Sequence, residues 1–152
     1  MIVAAAVAAK VTDVTDVAML AGGGPTQIFD MYVLMGEGAY RHWAEIRKDP
    51  DPITKMVWGH PYRRWSSFLA ASPLDFALGT KAKLFIAHGT EDRSVPIAAF
   101  DVLRAELVAR GRDVTAHRVE GANHGFQKPG AEPSAEGIGG LFAKMLDWYL
   151  GA

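Results

Sequence analysis

Two side chains in this sequence stand at a spacing that suits acid–base chemistry. Asp92 lies in His88-Gly89-Thr90-Glu91-Asp92-Arg93-Ser94-Val95-Pro96, directly after the apolar run Leu84-Phe85-Ile86-Ala87. His124 follows 32 residues later, in Gly121-Ala122-Asn123-His124-Gly125-Phe126. A carboxylate can accept a hydrogen bond from an imidazole N–H, which holds the tautomer and stabilises the imidazolium. Histidine, with an ordinary pKa of about 6.5, can take a proton and return it near neutrality. An Asp after one strand and a His after the next, in that order, is the tail of a Ser…Asp…His arrangement. Each residue also has a plainer reading. Asp92 suits a turn that caps the helix begun at Pro96, and His124 suits a loop with its ring satisfied locally.

The elements that must position these two residues are legible in outline. A short apolar run without alternation reads as a strand buried on both faces, and residues 83–87 fit that description. Gly89 then turns the chain, and Asp92 falls just past the strand's carboxyl end, the edge where open α/β sheets hold their ligands. Residues 114–119 alternate imperfectly and read as a half-exposed edge strand. A third strand is expected within 14–21, closed by Gly22-Gly23-Gly24-Pro25. Helices are expected at 2–10, which is Ala-rich, and from Ile97 to about Arg110, with Phe100, Leu103 and Leu107 on one face and Gly111 as the stop. Another is expected from about Ala135 to Leu150, with Ile138, Leu141, Phe142, Met145 and Tyr149 as its apolar stripe. Gly121 and Gly125 flank His124 and give its loop room to place the ring. The expected class is therefore α/β: three parallel strands with helices around them, in a single domain.

Residues 25–80 form a long insertion between strands. Pro50, Pro52 and Pro61 punctuate it, and helical pieces are expected at Tyr40–Lys48 and Tyr62–Ala71. It is rich in rings, Tyr32, Tyr40, Trp43, Trp58, Tyr62 and Trp65 among them. A small helical subdomain is expected to have little core of its own, so these rings either line an apolar pocket as a lid or fasten the insertion to the sheet.

The Asp92 and His124 motifs, with the small-residue segment 1–24, resemble the α/β-hydrolase family. The resemblance covers residues 1–24 and about 78–150, and it implies the C-terminal half of that fold. It maps the family's catalytic acid onto Asp92, in preference to Glu91, and the catalytic histidine onto His124. It implies hydrolysis of an ester, amide or peptide bond through an acyl-enzyme, with no cofactor and a small-molecule or peptide substrate. Esterases, dienelactone hydrolases and prolyl-oligopeptidase-like serine peptidases all share these features. On this alignment the nucleophile elbow falls a few residues before Met1. No G-x-S-x-G occurs, and Ser66, Ser67, Ser72, Ser94 and Ser134 all lack the strand–turn–helix setting of an elbow. These residues by themselves are therefore expected to be inactive. Whether the nucleophile is Ser, Cys or Asp stays open. The alternative of another class is a non-catalytic binding or interaction domain built on the same partial fold.

Composition narrows the field further. The 152 residues are 49% hydrophobic and 22% charged, with a net charge of −1. That gives no basic footprint, so nucleic acid and anionic membranes are not expected as partners. The absence of cysteine excludes disulfides, thiolate metal sites and a Cys nucleophile among these residues, and it fits a cytoplasmic protein. His42, His60 and His117 stand at no metal-ligating spacing. Gly22-Gly23-Gly24 lacks the third glycine of a dinucleotide fingerprint. The apolar strand at 14–21 carries no charge between Val17 and Leu20, so self-association through its edge is expected.

Overall fold

The computed structural model describes residues 2–128, 130 and 137–151. Its centre is a parallel sheet of three strands, β1 (Asp16–Leu20), β4 (Lys83–Gly89) and β5 (Val114–Val119), in the order β1-β4-β5. The register sets Val17 beside Leu84 and Leu84 beside Val114. This is the parallel α/β arrangement of a partial α/β-hydrolase fold, as the sequence leads one to expect.

The strand sequences explain which faces are covered. All of β4 from Leu84 to Gly89 is buried, as a central strand covered by helices on both faces must be. Successive side chains point to opposite faces. Val17, Met19, Leu84 and Ile86 thus enter one core, with Ala5 and Ala8 of α1 (Ile2–Ala8), Ala77 of α5 (Pro73–Gly79) and Phe100, Leu103 and Leu107 of α6 (Ile97–Ala109). Phe85 and Ala87 enter a second core on the other face. There they meet Leu141 of α7 (Ile138–Leu150), with Met145 and Trp148 packed against the cluster.

Helix α7 departs from expectation. Its stripe was to include Ile138, Phe142 and Tyr149, but these are 46%, 46% and 63% exposed. The helix meets the sheet through Leu141 and Met145 of that stripe together with Trp148, so a second apolar face lies bare among the described residues. Its expected first residues, Ala135 and Glu136, and most of the 129–133 loop lie outside the described residues. In α1, Ala5 and Ala8 face inward while Val3 and Val7 are exposed.

Between β1 and β4 the chain forms α2 (Gln27–Met35), α3 (Gly38–Lys48), a two-residue antiparallel ribbon of β2 (Met56–Val57) and β3 (His60–Pro61), then α4 (Tyr62–Phe68) and α5. Contrary to the expectation of little internal core, this insertion has one. Ile46, Trp65 and Leu69 are buried together, and Met31, Trp43, Val57, Trp58, Tyr62 and Phe68 pack on them. The Trp65 indole N–H donates to the Val57 carbonyl at 2.7 Å, so the ring is satisfied where it is buried. Tyr32 and Tyr40 instead stack on each other at 4.9 Å and stay partly exposed. The insertion returns to the sheet at a fixed point. The Arg112 guanidinium donates to the carbonyls of Ala77, Thr80 and Ala82, which ties the end of α5 to the turn before β5.

Candidate active site

Because the three strands are parallel, their carboxyl ends share one edge of the sheet. The loops after β4 and β5 meet there. They are laced together by backbone hydrogen bonds: Thr90 N–H to the Val119 carbonyl at 3.1 Å and Glu91 N–H to the Ala122 carbonyl at 2.9 Å. The Thr90 hydroxyl accepts from Gly121 N–H at 2.9 Å. Gly89 permits this approach. A Cβ there would sit 2.2 Å from the Ala122 carbonyl oxygen and 2.6 Å from that of Asn123.

Each loop is shaped by its own short polar side chain. In the β4 loop, Asp92 Oδ1 accepts from Ser94 N–H at 2.7 Å and Val95 N–H at 3.0 Å. In the β5 loop, Asn123 Oδ1 accepts from Gly125 N–H at 2.9 Å and Gln127 N–H at 3.0 Å. These are Asx turns, which a carboxylate or amide forms where the backbone folds back on itself. Phe126, at φ 58°, then sends its ring into the second core. A left-handed backbone at a bulky residue is uncommon, and here the buried ring holds it in place.

The two loops bring the predicted residues together. His124 Nδ1 and Asp92 Oδ2 are 2.8 Å apart. The Asp92 side chain is wholly buried and that of His124 is 51% exposed. Asp92 thus serves both loops: Oδ1 makes the turn, which ends before α6 without capping it, and Oδ2 meets the histidine. With Nδ1 donating to a carboxylate, Nε2 is the ring nitrogen left with a lone pair, the one a nucleophile's proton would reach. His124 lines an open cleft of about 480 Å³ with Glu91, Arg93, Ser94, Asn123, Gly125 and Gln127. Glu91, the rival for the acid, lies on this surface and is exposed, whereas Asp92 is the carboxyl in contact with the ring.

Two further groups at this edge escape sequence reasoning. His88, at the end of β4, is fully buried, with Nε2 3.3 Å from Asp92 Oδ2. Asp30 of α2 is 1% exposed. Its Oδ2 accepts from the Gln27 amide at 2.8 Å, and its Oδ1 is buried without a partner among the described residues. Burial pushes its carboxyl up from 3.8 to about 7; the Gln27 hydrogen bond opposes this and the charge of Asp92 adds to it. Gly23 makes room, since a Cβ there would lie 2.4 Å from Asp30 Oδ2. No helix among the described residues is long and apolar enough to cross a membrane, and no group of three or more metal-ligating side chains occurs among them.

Residues 19–151 match the model of the prolyl oligopeptidase family, peptidase family S9. No curated protein sequence matches the chain. Among solved structures, the fold is similar to esterase 2 of Thermogutta terrifontis phosphonylated by cyclosarin, at 24% identity and a TM-score of 0.41 over 53% of this chain and 30% of that one. It is also similar to a bifunctional GH43-CE protein of Bacteroides eggerthii, at 19% identity and a TM-score of 0.45 over 90% of this chain and 16% of that one. The chain thus spans under a third of the length of either structure.

Proposed function

Since the chain belongs to the prolyl oligopeptidase family of the α/β-hydrolase superfamily, a family of serine hydrolases, we propose that Asp92 and His124 are the acid and the base of an acyl-transfer triad. The observation that carries this reading is the 2.8 Å contact between Asp92 Oδ2 and His124 Nδ1 at the carboxyl edge of a parallel sheet. Asp92 accepts the Nδ1 hydrogen and fixes the tautomer with Nε2 free. His124 Nε2 then takes the proton of a serine hydroxyl as that oxygen attacks the carbonyl of an ester, amide or peptide bond. The same imidazolium returns the proton to the leaving group, and a water repeats the cycle on the acyl-enzyme. Asp92 stays ionised throughout and stabilises the imidazolium.

The serine is not among these 152 residues in the setting the chemistry needs, so the pair serves a nucleophile carried on another segment. The insertion between β1 and β4 acts as a lid over the site, and the substrate is a small molecule or a peptide. The test is a protein in which a strand and an elbow run directly into α1. It should hydrolyse p-nitrophenyl esters or a chromogenic peptide, and His124→Ala should lower kcat by about 10⁶. Asp92→Asn should lower it by about 10⁴. Hydrolysis that persists at full rate in His124→Ala would remove the reading.

A further inference from the structure

His88 is a buried titratable side chain at the site for which the mechanism above has no use. It is 0% exposed, near the end of β4, with its ring against Phe100 at a centroid distance of 5.8 Å. Its Nε2 lies 3.0 Å from the Val95 carbonyl oxygen. A carbonyl only accepts, so Nε2 carries the hydrogen. The same Nε2 lies 3.3 Å from Asp92 Oδ2. Its Nδ1 is buried with no hydrogen-bond partner among the described residues. An imidazole with one nitrogen unsatisfied is a costly filling for a dry position that an aliphatic side chain would fill without that cost. The ring's polar connections run through one N–H, and that N–H faces the acid loop.

We propose that His88 is a positioning residue for Asp92. Its Nε2–H, donated to the Val95 carbonyl oxygen, leaves Nε2 3.3 Å from Asp92 Oδ2, and the attraction of that positive edge fixes the plane of the carboxylate and aims Oδ2 at His124 Nδ1. The need for such a group follows from the geometry. The terminal torsion of an aspartate is broad, so its carboxylate plane is not set by rotamer preference. The Ser94 and Val95 N–H groups both hold Oδ1, which leaves the direction of Oδ2 to its own partners. One of these, His124, is half exposed and must exchange a proton with substrate during each cycle. The other, His88, is locked in the core and provides a reference that does not move with the chemistry. By holding Val95 and Asp92 together it also closes the acid loop across its base.

This inference deepens the triad reading and rests on it, and NMR of the chain labelled with ¹⁵N-histidine tests the two separately. The signal to follow is the His124 Nδ1–H resonance, which a hydrogen bond to Asp92 protects from solvent exchange. His88→Met fills a similar volume without a donor and should broaden that resonance beyond detection. His88→Gln places an amide N–H near the position of Nε2 and should keep it. A His124 signal unchanged in His88→Met overturns the proposal. So does its loss in both variants alike, which would assign the effect to packing of the buried ring. If His88→Met does not fold, Asp92→Asn decides: the His88 Nε2–H resonance should move upfield as its carboxylate partner goes, and an unmoved resonance overturns the proposal. The triad reading fails on a different result, a His124 Nδ1–H resonance that Asp92→Asn leaves in place.

Discussion

Replacing Asp30 with asparagine should stabilise this fold, and by an amount that grows with pH. Asp30 is buried in α2 under Gly23, with one oxygen bonded to Gln27 and the other unpartnered among the described residues. Its carboxyl is pushed from 3.8 up to about 7, first by burial and further by the charge of Asp92. The folded state therefore holds this proton more tightly than the unfolded chain does. Below pH 4 both states are protonated and nothing is lost. As pH rises from about 4 to about 7 the unfolded chain ionises while the folded one does not, and stability falls; above 7 the loss is complete. At about 1.4 kcal/mol per tenfold change in proton affinity, the full loss is of the order of 4 kcal/mol, with about 2.5 kcal/mol of it between pH 5 and pH 8. Asparagine has nearly the same shape, keeps an oxygen for Gln27 and never ionises. Urea unfolding of both proteins at pH 5, 6, 7 and 8 isolates this one group, because every other titration is common to the pair. The stability difference should swing toward Asp30→Asn across that range. Parallel pH profiles would refute the reasoning and mean that Asp30 is ionised in the fold and paired.

Other outcomes follow from the same structure. Gly89→Ala should lower stability by about 1–3 kcal/mol, as overpacking does, and part the two loops, since its methyl group overlaps the Ala122 and Asn123 carbonyl oxygens; thermal melts and the His124 Nδ1–H resonance report the two effects. The 152 residues as they stand should not be labelled by a serine-directed fluorophosphonate, because no serine among the described residues sits beside His124 in an elbow; stoichiometric labelling at any of these serines, read by mass spectrometry, would contradict the proposed division of the triad. Strand β1 has β4 on one side and no strand on the other among the described residues, so we propose that the isolated chain self-associates; light scattering during size-exclusion chromatography should show mass rising with concentration, and a constant monomer mass would contradict it.

The meeting of Asp92 with His124 was legible because the signal for each loop is local. Asp92 stands in a short loop just past an apolar run and His124 in one just past a half-exposed strand, and strand periodicity places both loops on one edge of the sheet. His88 and Asp30 were not legible in that way. Their importance lies in being buried, and burial of a polar side chain is decided by what packs over it, not by its neighbours in sequence. Helix α5 carries its own signal, with the Ser72 hydroxyl accepting from Asp75 N–H at 3.1 Å and Pro73 in the first turn. At seven residues it is too short for periodicity to reveal. In α7 the apolar residues spread around more of the helix than one contact can cover, so composition alone could not say that Leu141, Met145 and Trp148 would be the ones to pack. The insertion's core depended on contacts such as that of Trp65 in α4 with Val57 of a two-residue ribbon, a pairing of strands too brief to leave an alternating pattern.

The sheet's register also sets an order of assembly. Leu84 meets Val114 across 30 residues, but Val17 meets Leu84 only after 67. Loop-closure entropy grows as (3/2)RT ln n, so the longer closure costs about 0.7 kcal/mol more before any contact rewards it. The intervening chain must also order a core of its own. The β4–α6–β5 unit is thus the natural folding nucleus, and both Asp92 and His124 hang from it. The acid and the histidine can therefore find each other early, within a single crossover, while β1 and the ring-rich insertion dock onto a pair that is already made. Mutations in α6 at Phe100, Leu103 or Leu107 should accordingly slow folding, whereas those in the insertion at Ile46 or Leu69 should mainly hasten unfolding.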